Sequence, residues 1–267
     1  IAIREDKDAS PEEKEISEIN VGIYCFKSRQ LLEYLKKIKL NPFKKEYYLT
    51  DIIELLAKAG LKVDAFVTAD PQEGLGVNIR ADLAAAQAII QKRILDKLMI
   101  NGVTIVDPLT TYIDADVTIG KDTIIRSCSV IEGNVRIGKN CVIGPFARLR
   151  PGTIIDDHVE IGNFTEVSRT QIHSETVMKH FSFLGDAVVG KKVNIGAGTV
   201  TANYDGVSKS VTTIGNESFI GSDSILIAPV TIGKKALVGA GSVVTKGNII
   251  PDGCVDVGVP ARVIKRR

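Results

Sequence analysis

The histidine at position 180 is the side chain of this sequence most suited to moving a proton. The chain has three histidines. His158 and His173 lie in regularly repeated sequence, whereas His180 lies where the repeat slips. A neutral imidazole can remove a proton from an amine as that amine attacks a carbonyl. Such a reaction also needs a donor for the developing oxyanion, which a backbone amide or the Asn203 side chain could supply. The alternative is a structural histidine.

Two further sets of residues recur at intervals of 18 in the sequence and suggest binding surfaces. The first would place a guanidinium beside a carboxylate, and it consists of Glu132, Arg150 and Ser168. The second offers small side chains that leave a shallow channel for a long, thin ligand, and it consists of Ser222 and Ala240. Two simpler interpretations stay open. Arg150 could only pair with Glu132 at the surface, and the small residues could only satisfy the geometry of a corner.

A six-residue repeat of branched aliphatic side chains must position these residues. Helices repeat at 3.6 residues and strands at 2, so neither explains this spacing. A fixed short period is typical of a parallel β-helix. Three hexads make one coil and coils stack about 4.8 Å apart, so residues 18 apart lie above one another. The aliphatic positions are Ile113, Ile119, Ile125, Ile131, Ile137, Ile143, Leu149, Ile155, Ile161 and Val167.

The repeat is interrupted in its second half. It continues out of phase at Ile172, Met178, Leu184, Val189 and Ile195, and it resumes between Ile214 and Ile250. The polar stretch Thr199–Ser210 between them contains the turn signal Asp205-Gly206, which predicts a loop outside the coils. Loops on a rigid scaffold often carry function.

The sequence divides into three predicted parts, and the fold class is mostly β. Residues 1–80 predict part of an α/β domain, with strands at Val21–Phe26 and Val63–Val67 and helices at Ser28–Lys37 and Tyr47–Ala59. Residues 81–102 predict a connecting helix, Asp82–Ile100, which is rich in alanine and ended by Gly102. Residues 103–267 predict the β-helix, with coils from Val103 to about Val257 and a basic tail, Arg262–Arg267, that is solvated or lies against a neighbouring subunit.

Composition excludes several classes of function. The formal net charge is only +2 at pH 7, so neither a nucleic-acid nor a membrane surface is expected. No apolar run is long enough to span a bilayer and no signal peptide is present, so a cytoplasmic location is expected. The four cysteines have no metal-ligand spacing and are expected to be free thiols. Because the sequence starts at Ile1, within charged sequence, we expect a longer parent protein.

A three-sided prism of stacked coils presents flat faces to solvent. Identical faces pack well around a threefold axis, which closes the assembly. We therefore expect a homotrimer with grooves between neighbouring prisms.

Ordered motifs along the chain carry a resemblance to a known family. In the β-helix they are Ile143–Gly152, Gly162–Glu166, Lys179–Asp186, Val193–Thr199, Asn203–Gly206, Gly221–Asp223 and Ala228–Val230. In the N-terminal part they are Glu5–Ala9, Glu18–Asn20, Glu46–Asp51 and Gly76–Asn78. Together they resemble the bifunctional N-acetylglucosamine-1-phosphate uridyltransferase / glucosamine-1-phosphate acetyltransferase family. Hexapeptide repeats alone would be weak evidence, but the ordered set is specific.

The resemblance implies a left-handed parallel β-helix trimer that transfers acetyl from acetyl-CoA to the amine of glucosamine 1-phosphate, for UDP-N-acetylglucosamine synthesis. His180 matches the proton acceptor and Glu166 its orienting partner. Positions that match sugar or sugar-phosphate contacts are Arg150, Asn194 and Tyr204. Positions that match the acetyl-CoA channel are Ala197, Asn203, Tyr204, Ser222 and Ala240. Positions that match uridine-nucleotide contacts are Glu5, Asn20 and Asn78, and Asn78 also matches a Mg²⁺ ligand.

The chain departs from the family pattern at three places. Ser168 stands where the family has a lysine facing the sugar phosphate, and Phe183 stands where it has a tyrosine. The tail Gly258–Arg262 lacks the arginine that meets the cofactor. Losing a charged hydrogen bond to a phosphate costs about 1.5–3 kcal/mol. Arg169 or Arg262 could substitute, or the acceptor differs.

Alternative functions stay open at this point. The uridyltransferase reaction needs a Gly-rich, basic phosphate loop from the start of its domain, and this sequence has none, so we expect that activity only in the parent protein. The β-helix could serve only for assembly or regulation of a nucleotidyltransferase. It could also belong to a hexapeptide acyltransferase with another acceptor or a longer acyl donor.

Overall fold

The computed structural model describes residues 2–5, 9–42 and 44–266. The chain forms two compact units, Ile1–Ala86 and Gln87–Arg267. The boundary between them falls inside the long helix that the alanine-rich sequence predicts.

The first unit is helical in its described residues. Its α-helices are α1 (Ser28–Leu35) and α2 (Asp51–Lys58), with 3₁₀ turns at Glu13–Glu15 and Pro71–Gly74. Both predicted helices are present but shorter, and α1 begins at the predicted Ser28. Ile52 and Leu56 of α2 are its buried apolar residues.

The two strands predicted for the first unit are wrong. The described residues of this unit contain no strand. A strand needs a hydrogen-bonded neighbour and a covered face. Here both segments expose large apolar side chains to solvent, with Ile23 84% and Phe66 97% exposed. Both segments are rich in residues that favour strands, but no other segment of the described chain pairs with either of them.

The long helix α3 (Arg80–Ile100) ends at the predicted residue and begins two residues before the predicted Asp82. The Asp82 carboxylate accepts hydrogen bonds from the amides of Asn78 and Ile79 at 2.9 and 3.0 Å, and these bonds hold the pKa of that carboxyl below its usual range. After Ile100 the chain turns at Gly102, whose φ of +93° suits glycine. Leu95 packs with Val103 at the beginning of the β-helix core.

The second unit is a β-helix whose strands stack into three parallel sheets, here called faces A, B and C. Face A contains β1 (Thr104–Ile105), β4 (Ile124–Ile125), β7 (Val142–Ile143), β10 (Glu160–Ile161), β13 (Val177–Met178), β16 (Asn194–Ile195), β19 (Phe219–Ile220), β22 (Leu237–Val238), β25 (Cys254–Val257) and the antiparallel β26 (Arg262–Arg266). Face B contains β2 (Tyr112–Ile113), β5 (Val130–Ile131), β8 (Arg148–Leu149), β11 (Thr165–Ser168), β14 (Ser182–Gly185), β17 (Val200–Ala202), β20 (Ile225–Ile227) and β23 (Val243–Val244). Face C contains β3 (Thr118–Ile119), β6 (Arg136–Ile137), β9 (Ile154–Ile155), β12 (Gln171–Ile172), β15 (Ala187–Val189), β18 (Thr212–Ile214), β21 (Val230–Ile232) and β24 (Ile249–Ile250).

The predicted aliphatic positions form the interior of this prism. Ile125, Ile143 and Ile161 are in register on successive coils of face A, and each is fully buried. The out-of-phase residues Ile172, Met178 and Leu184 are equally buried, so the slips change the length of a coil and not its inward side. Ile119 is only partly buried. Small residues occupy the corners of the coils. One of them, Thr123, donates a hydrogen bond to the Gly138 carbonyl at 2.8 Å.

Two predictions at the ends of the coils need correction. The tail at Arg262–Arg266 is a strand, β26, paired antiparallel with β25, because β25 would otherwise leave an open edge at the last coil. The predicted loop Thr199–Ser210 also begins too early. Val200–Ala202 is β17, in register with Ile225–Ile227, and only residues 203–211 leave the coil.

The last coil places a carboxyl group at an inward position. Asp256 is in register with the buried Val238, is 1% exposed, and has no hydrogen-bond partner in the described chain for either oxygen. Burial raises the pKa of this carboxyl, and the charge of Arg262 opposes the rise.

Candidate active site

The turns from face A to face B, here called the A–B edge, bring His180 into line with the predicted channel residues. His180, Ala197, Ser222 and Ala240 each stand two residues after the inward side chain of a face A strand. Backbone hydrogen bonds join successive turns, from Gly198 N to Phe181 O at 2.7 Å, from Asp223 N to Ala197 O at 2.6 Å and from Gly241 N to Ser222 O at 2.7 Å. The 18-residue column of the sequence therefore extends to the imidazole.

His180 itself lies in the exposed turn between β13 and β14. The neighbouring Lys179 pairs with Glu160 at 2.9 Å, and the Phe181 ring is 56% exposed. No side chain of the described residues is hydrogen-bonded to the His180 ring. An accessible ring without a competing partner can reach a substrate amine. His173, by contrast, is engaged through Nδ1 with the Asp156 carboxylate at 2.8 Å.

The charged residues of face B pair differently from the sequence-based expectation. Arg150 Nη1 donates to Glu166 Oε1 at 2.8 Å, whereas Glu132 accepts from Arg148 Nε at 2.7 Å. The simple pairing of Arg150 with Glu132 is therefore wrong. Within this chain Glu166 contacts Arg150 and not the His180 ring, because Glu166 lies in the middle of face B and His180 lies in a turn one coil later.

Phe183 follows Glu166 in the same column of face B. The two residues are in register, and Val200 is in register with Phe183 on the other side. All three are partly buried. At the position where the resemblance implies a tyrosine, this surface therefore presents a ring without a hydroxyl.

The turns from face B to face C, here called the B–C edge, contain a polar cluster built on one carboxylate. Arg169 Nε and Nη2 donate to the two oxygens of Asp186 at 2.6 and 2.9 Å, and Nη1 donates to Ser168 Oγ at 2.7 Å. Asn203 Nδ2 also donates to Asp186. The Arg169 hydrogen bonds, helped by Asn203, hold the pKa of the Asp186 carboxyl below its usual range against the effect of burial. Ser168 is 1% exposed.

The loop at residues 203–211 carries Tyr204 beside this cluster. Tyr204 is 58% exposed, and its hydroxyl donates to the Gly206 carbonyl at 2.6 Å. Asp205 Oδ1 accepts from the amides of Val207 and Ser208 at 3.1 and 2.8 Å, and Oδ2 accepts from Lys246 Nζ at 3.0 Å. These bonds hold the pKa of the Asp205 carboxyl well below its usual range. The loop is thus tied to the coils two levels further on.

Asn194 lies on another face. It is an outward, half-buried residue of face A, in register with Val177 and Phe219. The chain therefore divides the predicted acetyl-transfer residues into a column at the A–B edge, a polar cluster at the B–C edge, Glu166 and Phe183 between them, and Asn194 on face A.

The predicted uridine-nucleotide positions lie in the first unit. Glu5 lines one shallow cavity and Asn78 lines another. Asn20 donates from Nδ2 to Tyr24 Oη at 2.6 Å. Residues 6–8 of the motif that starts at Glu5 lie outside the described residues. Among the described residues, no cluster of three or more His, Cys, Asp and Glu side chains could hold a metal ion. The four cysteines are free, as predicted.

Sequence reasoning missed two residues of the site. Asp186 ends the motif Lys179–Asp186, but no role was inferred for it. Its signal was its distance of 17 residues from both Arg169 and Asn203, which is close to one coil. Lys246 lies 41 residues from Asp205, across the loop, so no repeat spacing could reveal that pair.

Known proteins match both the repeats and the whole chain. The family described as "Bacterial transferase hexapeptide (six repeats)" matches residues 134–169, and "Hexapeptide repeat of succinyl-transferase" matches residues 211–246. These matches confirm the predicted fold class, a left-handed parallel β-helix of hexapeptide repeats. Of the helices in the described residues, none combines the length and the apolar composition needed to cross a bilayer.

Two curated relatives extend the similarity over nearly all of the sequence. The "Bifunctional protein GlmU" of Streptococcus suis (strain 98HAH33) is 42% identical over 289 residues, covering 96% of this chain and 62% of that protein. The protein of the same name in Lactococcus lactis subsp. lactis (strain IL1403) is 43% identical over 298 residues, covering 98% of this chain and 64% of that protein. The family resemblance inferred from the motifs is confirmed, and this chain spans less than two thirds of these relatives' length.

Among solved structures, the polysialic acid O-acetyltransferase OatWY matches with a TM-score of 0.44 and 22% identity, covering 62% of this chain and 88% of that chain.

Proposed function

We propose that this chain transfers acetyl from acetyl-CoA to the amino group of glucosamine 1-phosphate, giving N-acetylglucosamine 1-phosphate and free CoA. The observation that carries the proposal is the column at the A–B edge. An accessible imidazole, His180, stands at one end, and the small residues Ala197, Ser222 and Ala240 continue from it along the prism. A row of small side chains leaves room for a long, thin cofactor whose reactive end reaches the imidazole.

In the proposed reaction the amine nitrogen attacks the thioester carbonyl. A C–N bond forms, the C–S bond breaks, and the amine loses one proton. His180 takes that proton as general base and returns it to the departing thiolate. A backbone amide of the edge would stabilise the oxyanion, or the partner subunit's Asn203, since Asn203 and His180 lie at different edges of one prism. One N–H of the Asn203 amide is committed to Asp186, so only its second N–H is available for that role.

The phosphate of the acceptor would be bound by guanidinium groups. Arg150 is held by Glu166, and Arg169 is held by Asp186. A fork of N–H donors suits phosphate oxygens. Ser168 is buried and uncharged. We therefore assign to Arg169 the cationic contact that a lysine at position 168 would supply. Phe183 and Tyr204 would border the sugar.

We further propose that the working unit is a homotrimer. Face A presents a row of outward apolar residues, partly or largely exposed in the single chain, that suits contact with an identical prism: Ile124, Val142, Val177, Phe219 and Leu237. Packing of this face against a neighbouring prism would also bring Asn194 towards the residues of a second subunit. A threefold arrangement is closed, so no copy of this face is left unpaired at an end of the assembly.

The relatives are named "bifunctional", and for a protein of their full length we propose uridylyl transfer with Mg²⁺, the second activity that the resemblance of the N-terminal motifs implies. Glu5, Asn20 and Asn78 would then contact the uridine nucleotide, and Asn78 would help to hold the ion.

The test is release of free thiol from acetyl-CoA by this chain with glucosamine 1-phosphate as acceptor, followed by mass analysis of the sugar product. The proposal expects stoichiometric thiol release and N-acetylation. A second candidate, a hexapeptide acyltransferase with another acceptor, is favoured by Ser168 and Phe183, so the same assay is run with other amino sugars and longer acyl-CoA donors. Absence of release with every pair would favour a β-helix that serves only for assembly.

A further inference from the structure

Asp186 accepts the hydrogen bonds that hold the polar cluster of the B–C edge together, although no motif assigns it a role. Its backbone has a left-handed conformation with φ of +51°, which is uncommon for a residue with a side chain. Its side chain is 14% exposed. One oxygen accepts from Arg169 Nε, and the other accepts from both Arg169 Nη2 and Asn203 Nδ2.

The backbone of Asp186 connects the same three levels of the prism. Its amide donates to the Ser168 carbonyl at 3.0 Å, and its carbonyl accepts from the Thr212 amide at 3.1 Å. Thr212 is the residue with which the chain re-enters the coils after the loop at 203–211. Asp186 thus contacts the first residue of that loop, the residue after the loop, and both Ser168 and Arg169 of the preceding coil.

Only a carboxylate can satisfy this arrangement. Arg169 and Asn203 approach with N–H donors and need two acceptor oxygens, which an ionised Asp provides. The bidentate contact fixes the plane of the guanidinium and leaves Nη1 to Ser168. The contact to Nδ2 likewise determines which end of the Asn203 amide faces outward. An exposed arginine would otherwise sample many rotamers.

We propose that Asp186 is the positioning residue that fixes Arg169 and Asn203 relative to each other, and so couples the phosphate end of the site to the acetyl-donor end. The inference rests on the proposed function, because it assigns the two partners to acceptor and cofactor. It goes beyond that function by making the affinities for the two substrates depend on one side chain that touches neither.

The first experiment compares Asp186→Asn with the wild type and with a matched control, Glu217→Gln. Glu217 is also an acidic residue in a left-handed corner, with φ of +59°, and it pairs with Lys235 at 3.6 Å away from the site. An Asn side chain has one acceptor oxygen, so it cannot keep the bidentate contact to Arg169, and its NH2 group would face an N–H donor that a carboxylate oxygen now accepts. We expect kcat/KM to fall about tenfold, with KM rising for both the sugar phosphate and acetyl-CoA, while Glu217→Gln stays at the wild-type value. Equal behaviour of the two variants would overturn the inference.

A double-mutant cycle then separates positioning from general structure. If Asp186 acts through Arg169, the combination Arg169→Ala with Asp186→Asn should raise KM for the sugar phosphate no further than Arg169→Ala alone. Effects that multiply would contradict the coupling. Melting curves of each variant confirm folding before the kinetics are compared.

A readout independent of activity distinguishes this inference from the proposed function. Hydrogen exchange of the segment 203–211, in protein without substrates, should be faster in Asp186→Asn than in the wild type and unchanged in Glu217→Gln. Unchanged exchange in Asp186→Asn refutes the positioning role even where acetyl transfer occurs. An inactive wild type with faster exchange in Asp186→Asn refutes the proposed function instead.

Discussion

Replacing Asp256 by valine should stabilise the β-helix at neutral pH. The carboxyl occupies an inward position in register with Val238, is 1% exposed, and has no hydrogen-bond partner in the described chain for either oxygen. An unsatisfied buried polar group costs about 1–3 kcal/mol, and valine fills a similar volume without that cost. We therefore expect the free energy of unfolding of this unit to rise by about 2 kcal/mol, which corresponds to a Tm increase of roughly 4–8 °C for a unit of 150–250 residues.

The effect should depend on pH with a defined sign. Burial raises the pKa of Asp256 in the folded chain, so between the unfolded and the folded pKa the folded state binds more protons than the unfolded state. Stability then falls as pH rises through that window, and the full penalty is present above the folded pKa. The advantage of Asp256→Val over the wild type should accordingly be largest at pH 7 and shrink as the pH falls through the same window.

The assay is urea or thermal unfolding of wild type, Asp256→Val and a control at equal protein concentration, at pH 7 and at lower pH. The control is Asp252→Ala in the same coil, whose carboxylate accepts a hydrogen bond from the Lys234 amide at 2.7 Å and whose loss should destabilise. A variant Asp256→Val that is less stable than the wild type at pH 7, or whose advantage grows on acidification, refutes the reasoning.

Three further outcomes follow from the site and the coils. Arg169→Ala should raise KM for the phosphorylated sugar by one to two decades and spare KM for acetyl-CoA; an unchanged sugar KM would show that another group binds the phosphate. Lys246→Ala removes a surface pair worth at most about 1 kcal/mol, so Tm should hardly change while trypsin cuts the loop at residues 203–211 faster; equal cleavage would mean that the pair does not restrain the loop. Gly162→Ala would place a Cβ 1.8 Å from the Lys179 carbonyl oxygen, so we expect a loss of about 1–3 kcal/mol in unfolding experiments, and a neutral result would contradict the coil contact next to His180.

The β-helix could be predicted from sequence because each coil repeats the same local rule. An aliphatic residue every six positions leaves only one inward side, and the 18-residue period places Ser222 above Ala240 without further information. His180 and Ala197 can be added to this column only when the lengths of the irregular coils are known. The coils between residues 167 and 214 differ in length, so the column at the A–B edge is visible in the structure and not in the spacing.

Pairing of charged side chains was much less predictable. Arg150 is hydrogen-bonded to Glu166, and Arg148 is hydrogen-bonded to Glu132. A long arginine side chain can reach carboxylates on either adjacent coil, so its rotamer decides the partner and the repeat spacing does not. The strands expected at Val21–Phe26 and Val63–Val67 failed for another reason. β-propensity describes how a residue fits a covered sheet, and the described first unit offers those segments no neighbouring strand.

The central claim is that His180 is the base of an acetyl transfer along the A–B edge. The most direct measurement is thiol release from acetyl-CoA with glucosamine 1-phosphate by His180→Ala, compared with His173→Ala, whose ring is instead paired with Asp156. We expect kcat to fall about 10²–10⁴-fold in His180→Ala and to stay at the wild-type value in His173→Ala. Turnover that survives the loss of His180 would contradict it.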